Sequence, residues 1–142
     1  MTRKAYYTWE QVEGMTQDIL RQIKDEKFDT VVGLTRGGLT PAVLISQYLD
    51  IPMHTLKISL RDHQEQESLD VLKNLGRVLI VDDINDTGAT INYIKNKWVG
   101  SLSYAVLINN EASDADVDFA SVDINKREDD VWIVFPWEDW WK

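Results

Sequence analysis

The apolar positions of this chain change period as one reads along it. Val12, Met15, Ile19, Leu20 and Ile23 recur at helical spacing. They follow Thr8-Trp9-Glu10-Gln11, a capping-box pattern with Thr at the N-cap and Gln at N3, so a first helix is predicted over about Trp9 to Glu26. Thr30 to Leu34 is β-branched and apolar throughout, as in a buried strand, and Thr35-Arg36-Gly37-Gly38 breaks it. Pro41 suits the first turn of a helix carrying Ala42, Val43, Leu44, Ile45, Tyr48 and Leu49. Ile51-Pro52 closes that helix, and Met53 to Ile58 predicts a second strand. Arg61 to Ser68 is polar without an apolar period and reads as an exposed loop before a short helix near Leu69 to Leu75. Further strands are predicted at Val78 to Val81, Tyr104 to Ile108, Val117 to Val122 and Val131 to Phe135, with a helix at Ala89 to Lys97. This alternation predicts an α/β fold: a mostly parallel sheet of about five strands, flanked by helices on both faces. Ligands of such sheets bind beyond the carboxyl ends of strands. The loops after Leu34 and after Val81 both fall there.

Composition narrows the chemistry. At 142 residues, with no repeat or linker, a single domain over 1–142 is expected. No apolar run approaches a membrane span, and the start MTRKAYYTWEQ lacks the apolar segment of a secretory signal. The absence of cysteine excludes disulfides, zinc-thiolate sites and thiol nucleophiles, and it is compatible with the expected cytoplasmic location. A net charge of −9 argues against non-specific nucleic-acid binding, which relies on basic surface. If the ligand carries phosphates, backbone amides and a divalent cation have to offset that charge locally.

The segment Val78 to Thr90, VLIVDDINDTGAT, contains the densest chemistry. A buried strand ends in the adjacent acids Asp82 and Asp83. A third acid, Asp86, follows, and Thr87-Gly88-Ala89-Thr90 then opens a helix. A helix N-terminus with a glycine nearby suits an anion, and the threonine hydroxyls add donors for phosphate oxygens. An EF-hand begun at Asp83 fails, because Ile94 stands where the closing Glu belongs. A Walker A loop would need Gly-Lys-Ser/Thr, which is absent. An acidic turn with a helix cap explains a lone DxxTG, but not the apolar strand, acid pair and complete turn together. The paired glycines after Arg36 allow close backbone approach, and Arg36 offers a forked donor to phosphate. At the other end, six tryptophans include four in the last eleven residues. Packing or a partner surface accounts for such a cluster as readily as a ligand does.

VLIVDDINDTGAT resembles the phosphoribosyl-pyrophosphate (PRPP) motif of type I phosphoribosyltransferases. GLTRGGLTPA resembles the pyrophosphate loop of the same family, in its xanthine-guanine branch, and Trp132-Ile133 followed by Pro136-Trp137-Glu138 resembles that branch's purine-binding end. The resemblance runs from about Val31 to Glu138, and residues 117–142 would form the family's hood-like base-binding end. It implies that Asp82 and Asp83 hold the ribose hydroxyls, with Mg²⁺ on Asp83 and Asp82. It assigns Asp86, Thr87, Gly88, Ala89 and Thr90 to the 5′-phosphate, and Arg36, Gly37 and Gly38 to pyrophosphate. Asp86 would also act as the catalytic base, Trp132 would stack on the base, and the Ile133 backbone would read its edge. The branch usually carries a lysine shortly after the fourth strand, directed at the purine 6-oxygen. Ungapped, Asn110 stands there, able both to donate and to accept, and Lys126 is a substitute from elsewhere in the chain.

The implied activity is Mg²⁺-dependent transfer of 5-phosphoribosyl from PRPP to a purine base in purine salvage, with Arg61 to Ser68 as a closing lid. The implied assembly is a homodimer or homotetramer, with no nucleic-acid or membrane partner. Two other readings stand beside it: a PRPP- or nucleotide-sensing regulator without turnover, and a transferase for a non-purine acceptor.

Overall fold

The computed structural model describes residues 2–58, 68–98, 100 and 102–142. The proposed lid falls almost wholly on 59–67, outside the described residues, as does His63. Five strands form one sheet in the order β3-β2-β4-β5-β6: β2 (Thr30–Thr35), β3 (Met53–Lys57), β4 (Val78–Asn85), β5 (Leu102–Asn110) and β6 (Phe119–Ile124). Every neighbouring pair in it is parallel. Parallel neighbours need crossovers, and the helices α1 (Trp9–Gln22), α2 (Leu39–Leu49) and α3 (Ala89–Lys97) cover the faces this creates.

Alternation along the central strands sorts the core into two layers. Val31, Leu79, Val81, Ala105 and Leu107 pack with Val12, Ile19, Ala42 and Ile45 of α1 and α2. Val32, Leu34, Ile80 and Tyr104 face the other way, onto Ile91 and Ile94 of α3 and Leu72 of a short 3-10 turn at Leu69–Leu72. The capping box is formed as expected: Gln11 N–H donates to Thr8 Oγ1 at 3.1 Å and Thr8 N–H to Gln11 Oε1 at 2.8 Å. The first helix ends at Gln22, short of Glu26. Lys24, Asp25 and Glu26 bring no apolar side chain to bury, and the next buried residue is Phe28.

Three elements depart from the sequence reading. β4 does not stop at Val81 but runs through the acids to Asn85, because β5 continues beside it and supplies ladder partners, Ile84 against Ile108 and Asn85 against Asn109. The segment at Val131–Val134 (β7) is not in the main sheet. It pairs in parallel with β1 (Arg3–Tyr6), a short exposed strand with no apolar alternation to betray it. Finally, β6 completes the main sheet, so the small end unit is built from both chain ends rather than from 117–142 alone. An aromatic row ties that unit down: Phe135 stacks on Trp137 at 4.8 Å, flanked by Tyr7 and Trp9 at about 6 Å. Trp137 is therefore a packing residue, while Trp140 and Trp141 are exposed and meet edge to face. No helix among the described residues is long and apolar enough to cross a membrane.

Candidate functional site

One cleft of about 270 Å³ opens where the carboxyl ends of β2 and β4 meet the two-stranded end unit. Its floor is β4 and the turn into α3: Asp82, Asp83, Asp86 and the whole of Thr87 to Thr90 line it. Thr35 and Gly37 form one wall, and Lys126, Trp132, Ile133 and Glu138 form the opposite one. Three stretches singled out in the sequence thus converge on one space, although nearly 100 residues separate Arg36 from Trp132.

The two adjacent acids are held at the strand end by their own backbone. Asp83 N–H donates to Asp82 Oδ1 at 2.9 Å, and Ile84 N–H to Asp83 Oδ1 at 2.8 Å. The Asp83 carboxylate lies directly against Gly37, where any side chain would collide with it. Glu138 adds a further acid at the exposed rim. Partial burial of its carboxyl, together with the nearby charge of Asp83, pushes its pKa up from the ordinary carboxylate value. This concentration of negative charge suits a cation. Among the described residues no group of three or more histidine or carboxylate side chains is placed to hold a metal ion by itself.

The turn after the acids is shaped for an anion. Gly88 sits at the N-cap of α3 with φ 89°, a left-handed conformation, and makes no side-chain cap to the helix. The helix N-terminus consequently opens toward the cleft. Thr87 Oγ1 accepts from Ala89 N–H at 3.2 Å, and Asp114 N–H donates to the Thr87 carbonyl at 3.0 Å. Asn85, silent in the sequence, fixes the turn from below. Its buried Nδ2 donates to Asn109 Oδ1, Ser113 Oγ and the Ala115 carbonyl at 2.8–3.0 Å.

Not every expected contact is offered. Gly38 is buried, its N–H donates to the Leu34 carbonyl at 2.8 Å, and its missing side chain makes room for the Val81 carbonyl. It serves close packing of the loop on β4, not phosphate contact. Arg36 is exposed beside the cleft, and its peptide bond with Thr35 is cis. Asn110 is a clearer correction. Only 6% exposed, it does not line the cleft. Its Nδ2 donates to the Asp86 carbonyl at 2.8 Å, while its Oδ1 accepts from Lys126 N–H at 3.0 Å and Ala112 N–H at 3.2 Å. Buried and held at both its nitrogen and its oxygen, this amide does not face the space a base would occupy. Among the described residues the cation that lines the cleft is Lys126, whose Nζ lies 2.9 Å from Asp86 Oδ1 and 5.8 Å from the centre of the Trp132 ring. Trp132 is 48% exposed and faces the cleft, whereas the side chain of Ile133 belongs to the core, so only its backbone can meet a ligand.

The family model described as phosphoribosyl transferase domain matches residues 3–139. The xanthine-guanine phosphoribosyltransferase of Idiomarina loihiensis is 28% identical over 145 residues, covering 96% of this chain and 88% of that protein. The protein of the same name from Nitratidesulfovibrio vulgaris is 33% identical over 144 residues, covering 96% and 86%. Among solved structures, a purine phosphoribosyltransferase from Pyrococcus horikoshii superposes with a TM-score of 0.78 at 29% identity, covering 97% of this chain and 95% of that one.

Proposed function

This chain belongs to the phosphoribosyl transferase domain family, and on that premise we propose that it transfers the 5-phosphoribosyl group of PRPP to a purine base, releasing pyrophosphate. The observation that carries this reading is the single cleft in which an acid pair, a helix-N-terminal turn and an exposed tryptophan face one another. Relatives named for xanthine and guanine, and a structural neighbour named for purines, support the same acceptor class.

In this reading Asp82 and Asp83 bind the ribose hydroxyls, and the turn Asp86 to Thr90 receives the 5′-phosphate on the α3 N-terminus. Arg36 and the Gly37 backbone meet the pyrophosphate. Trp132 carries the base, and the Ile133 backbone reads its edge. The C1–oxygen bond to pyrophosphate breaks as a ring nitrogen of the base attacks, through an oxocarbenium-like state. Asp86 takes the proton that the base loses. Much of the rate enhancement comes from holding the reactants in line and from stabilising the departing charge. Asp83 and Asp82 are the residues that would hold Mg²⁺, which when bound supplies positive charge to the pyrophosphate oxygens. Cytoplasmic purine salvage is the setting this chemistry fits, and a homodimer or homotetramer is the assembly expected of the family.

The test is incubation with PRPP, Mg²⁺ and a panel of purine and pyrimidine bases, following pyrophosphate. Release with a purine is expected. PRPP binding without release from any base would replace the transferase with a sensor. Calorimetry on Asp83→Ala separates site from activity: Mg²⁺-PRPP binding should be lost, and intact binding would displace the ribose and metal assignment.

A further inference from the structure

We propose that Asn110 is a positioning residue of the 5′-phosphate site, holding the turn after Asp86 so that its backbone N–H groups face the anion. The proposal rests on the reading of this cleft as the PRPP site. Three successive carbonyls of the turn are tied, each by a residue that does not line the cleft. The Asp86 carbonyl accepts from Asn110 Nδ2 at 2.8 Å, that of Thr87 from Asp114 N–H at 3.0 Å, and that of Gly88 from Asn92 N–H at 3.0 Å. These peptides are trans, and a trans peptide points its N–H opposite to its carbonyl. Carbonyls drawn away from the cleft therefore aim the amides of Thr87, Gly88 and Ala89, which do line it, into that space. Ala89 N–H meets Thr87 Oγ1 at 3.2 Å. The pair that the ties direct at a ligand is thus Thr87 and Gly88, successive N–H groups of the kind that cradle an anion.

Two of these three ties come from main-chain groups that almost any residue would supply. The tie on Asp86 comes from a side chain, so it depends on residue type. Its amide can sit only one way round. Asn110 Oδ1 accepts from Lys126 N–H at 3.0 Å and Ala112 N–H at 3.2 Å. Turned over, the amide would set its NH₂ against two N–H groups and its oxygen against a carbonyl. Without the tie the Asp86–Thr87 peptide can rotate, and a flipped peptide offers the phosphate a carbonyl oxygen in place of a donor. Asn110 touches no substrate in this arrangement; it acts through the backbone at Asp86. An asparagine that only braced the end of β5 would support every ligand of the cleft alike.

The experiment follows two probes, ribose 5-phosphate and pyrophosphate, each with Mg²⁺, by NMR titration of wild type, Asn110→Asp and Asn110→Ala. In wild type the amide protons of Thr87 and Gly88 should move downfield with ribose 5-phosphate, as donors to a phosphate do. Asn110→Asp, as a carboxylate, keeps an acceptor for the two N–H groups and loses the donor. Asn110→Ala loses both without adding charge. Each variant should bind ribose 5-phosphate about 10-fold more weakly and shrink both amide shifts, with pyrophosphate affinity kept. In turnover, KM for PRPP should rise more than KM for the base. If Asn110→Ala does not fold, Asn110→Ser takes its place as the neutral variant. A loss in Asn110→Asp alone would be a charge effect, and equal losses for both probes would be general support of the fold. Either result, or unmoved Thr87 and Gly88 amides in wild type, overturns the proposal while leaving the transferase intact. Failure of wild type to bind PRPP removes the transferase reading and this proposal with it.

Discussion

Asp86 meets three demands at once: its backbone carbonyl is tied to Asn110, its carboxylate is paired with Lys126, and its position opens the phosphate turn. Asp86→Asn keeps the shape and removes the proton acceptor. Turnover should fall by about 10²–10⁴-fold while PRPP affinity moves far less, a split read by steady-state kinetics beside calorimetry. Unchanged turnover would take the proton-accepting role away from Asp86. Two residues on, Gly88 is constrained by conformation and by space. At φ 89° a Cβ is strained, and it would stand 2.6 Å from the Ala115 backbone nitrogen. Gly88→Ala should cost about 1–3 kcal/mol and weaken PRPP binding, seen as a lower thermal midpoint and a higher KM for PRPP. That the acid pair, Asp86 and the Thr87 to Thr90 turn share one cleft was legible in the sequence because they sit in one contiguous stretch at the end of a buried strand. Asn110 was misread for the opposite reason. An asparagine at the end of a strand looks the same whether its amide faces a ligand or braces three backbone groups, and only burial distinguishes the two.

At the scale of elements, capping and alternation predicted what they physically control. Thr8 and Gln11 mark the start of α1, and the apolar runs mark the buried strands, because these signals are local. Strand length was not local: β4 extends to Asn85 only because β5 lies beside it. Asn85 exposes the same gap. Within the motif it reads as a spacer, yet its amide joins the phosphate turn to the segment 109–115 through three hydrogen bonds. Asn85→Ala would leave buried acceptors without that donor, a loss of about 1–3 kcal/mol. The turn should loosen with it, so PRPP affinity should fall in calorimetry together with the thermal midpoint. A lower midpoint with unchanged affinity would show that Asn85 supports the sheet and not the turn.

The whole molecule divides its cleft between two structures of different origin. In the proposed reading the five-stranded sheet supplies the sugar and phosphate half, and the end unit, which brings Trp132 and Ile133 to the cleft, supplies the base half. That unit exists only because the chain's beginning pairs with its end, Arg3 to Tyr6 against Val131 to Val134. β1 was invisible in the sequence, since four residues of which only Ala5 is half-buried carry no periodicity, and their partner lies more than 120 residues away. The division makes the two halves separable by experiment. Ala5 faces Ile133 in the register. Arg3 N–H donates to the Asp130 carbonyl and Tyr7 N–H to the Val134 carbonyl, so the even spacing of a parallel ladder directs the Ala5 N–H at β7 as well. Ala5→Pro removes that donor in the middle of the pair. The aromatic row at Phe135 and Trp137 should hold the C-terminal segment in place, but the strand carrying Trp132 should lose its register. KM for the base should then rise several-fold or more, while PRPP binding, which depends on the main sheet, stays near the wild-type value. Equal losses at both substrates would mean that the end unit and the sheet move as one body, and that the base half is not an independent attachment to the fold.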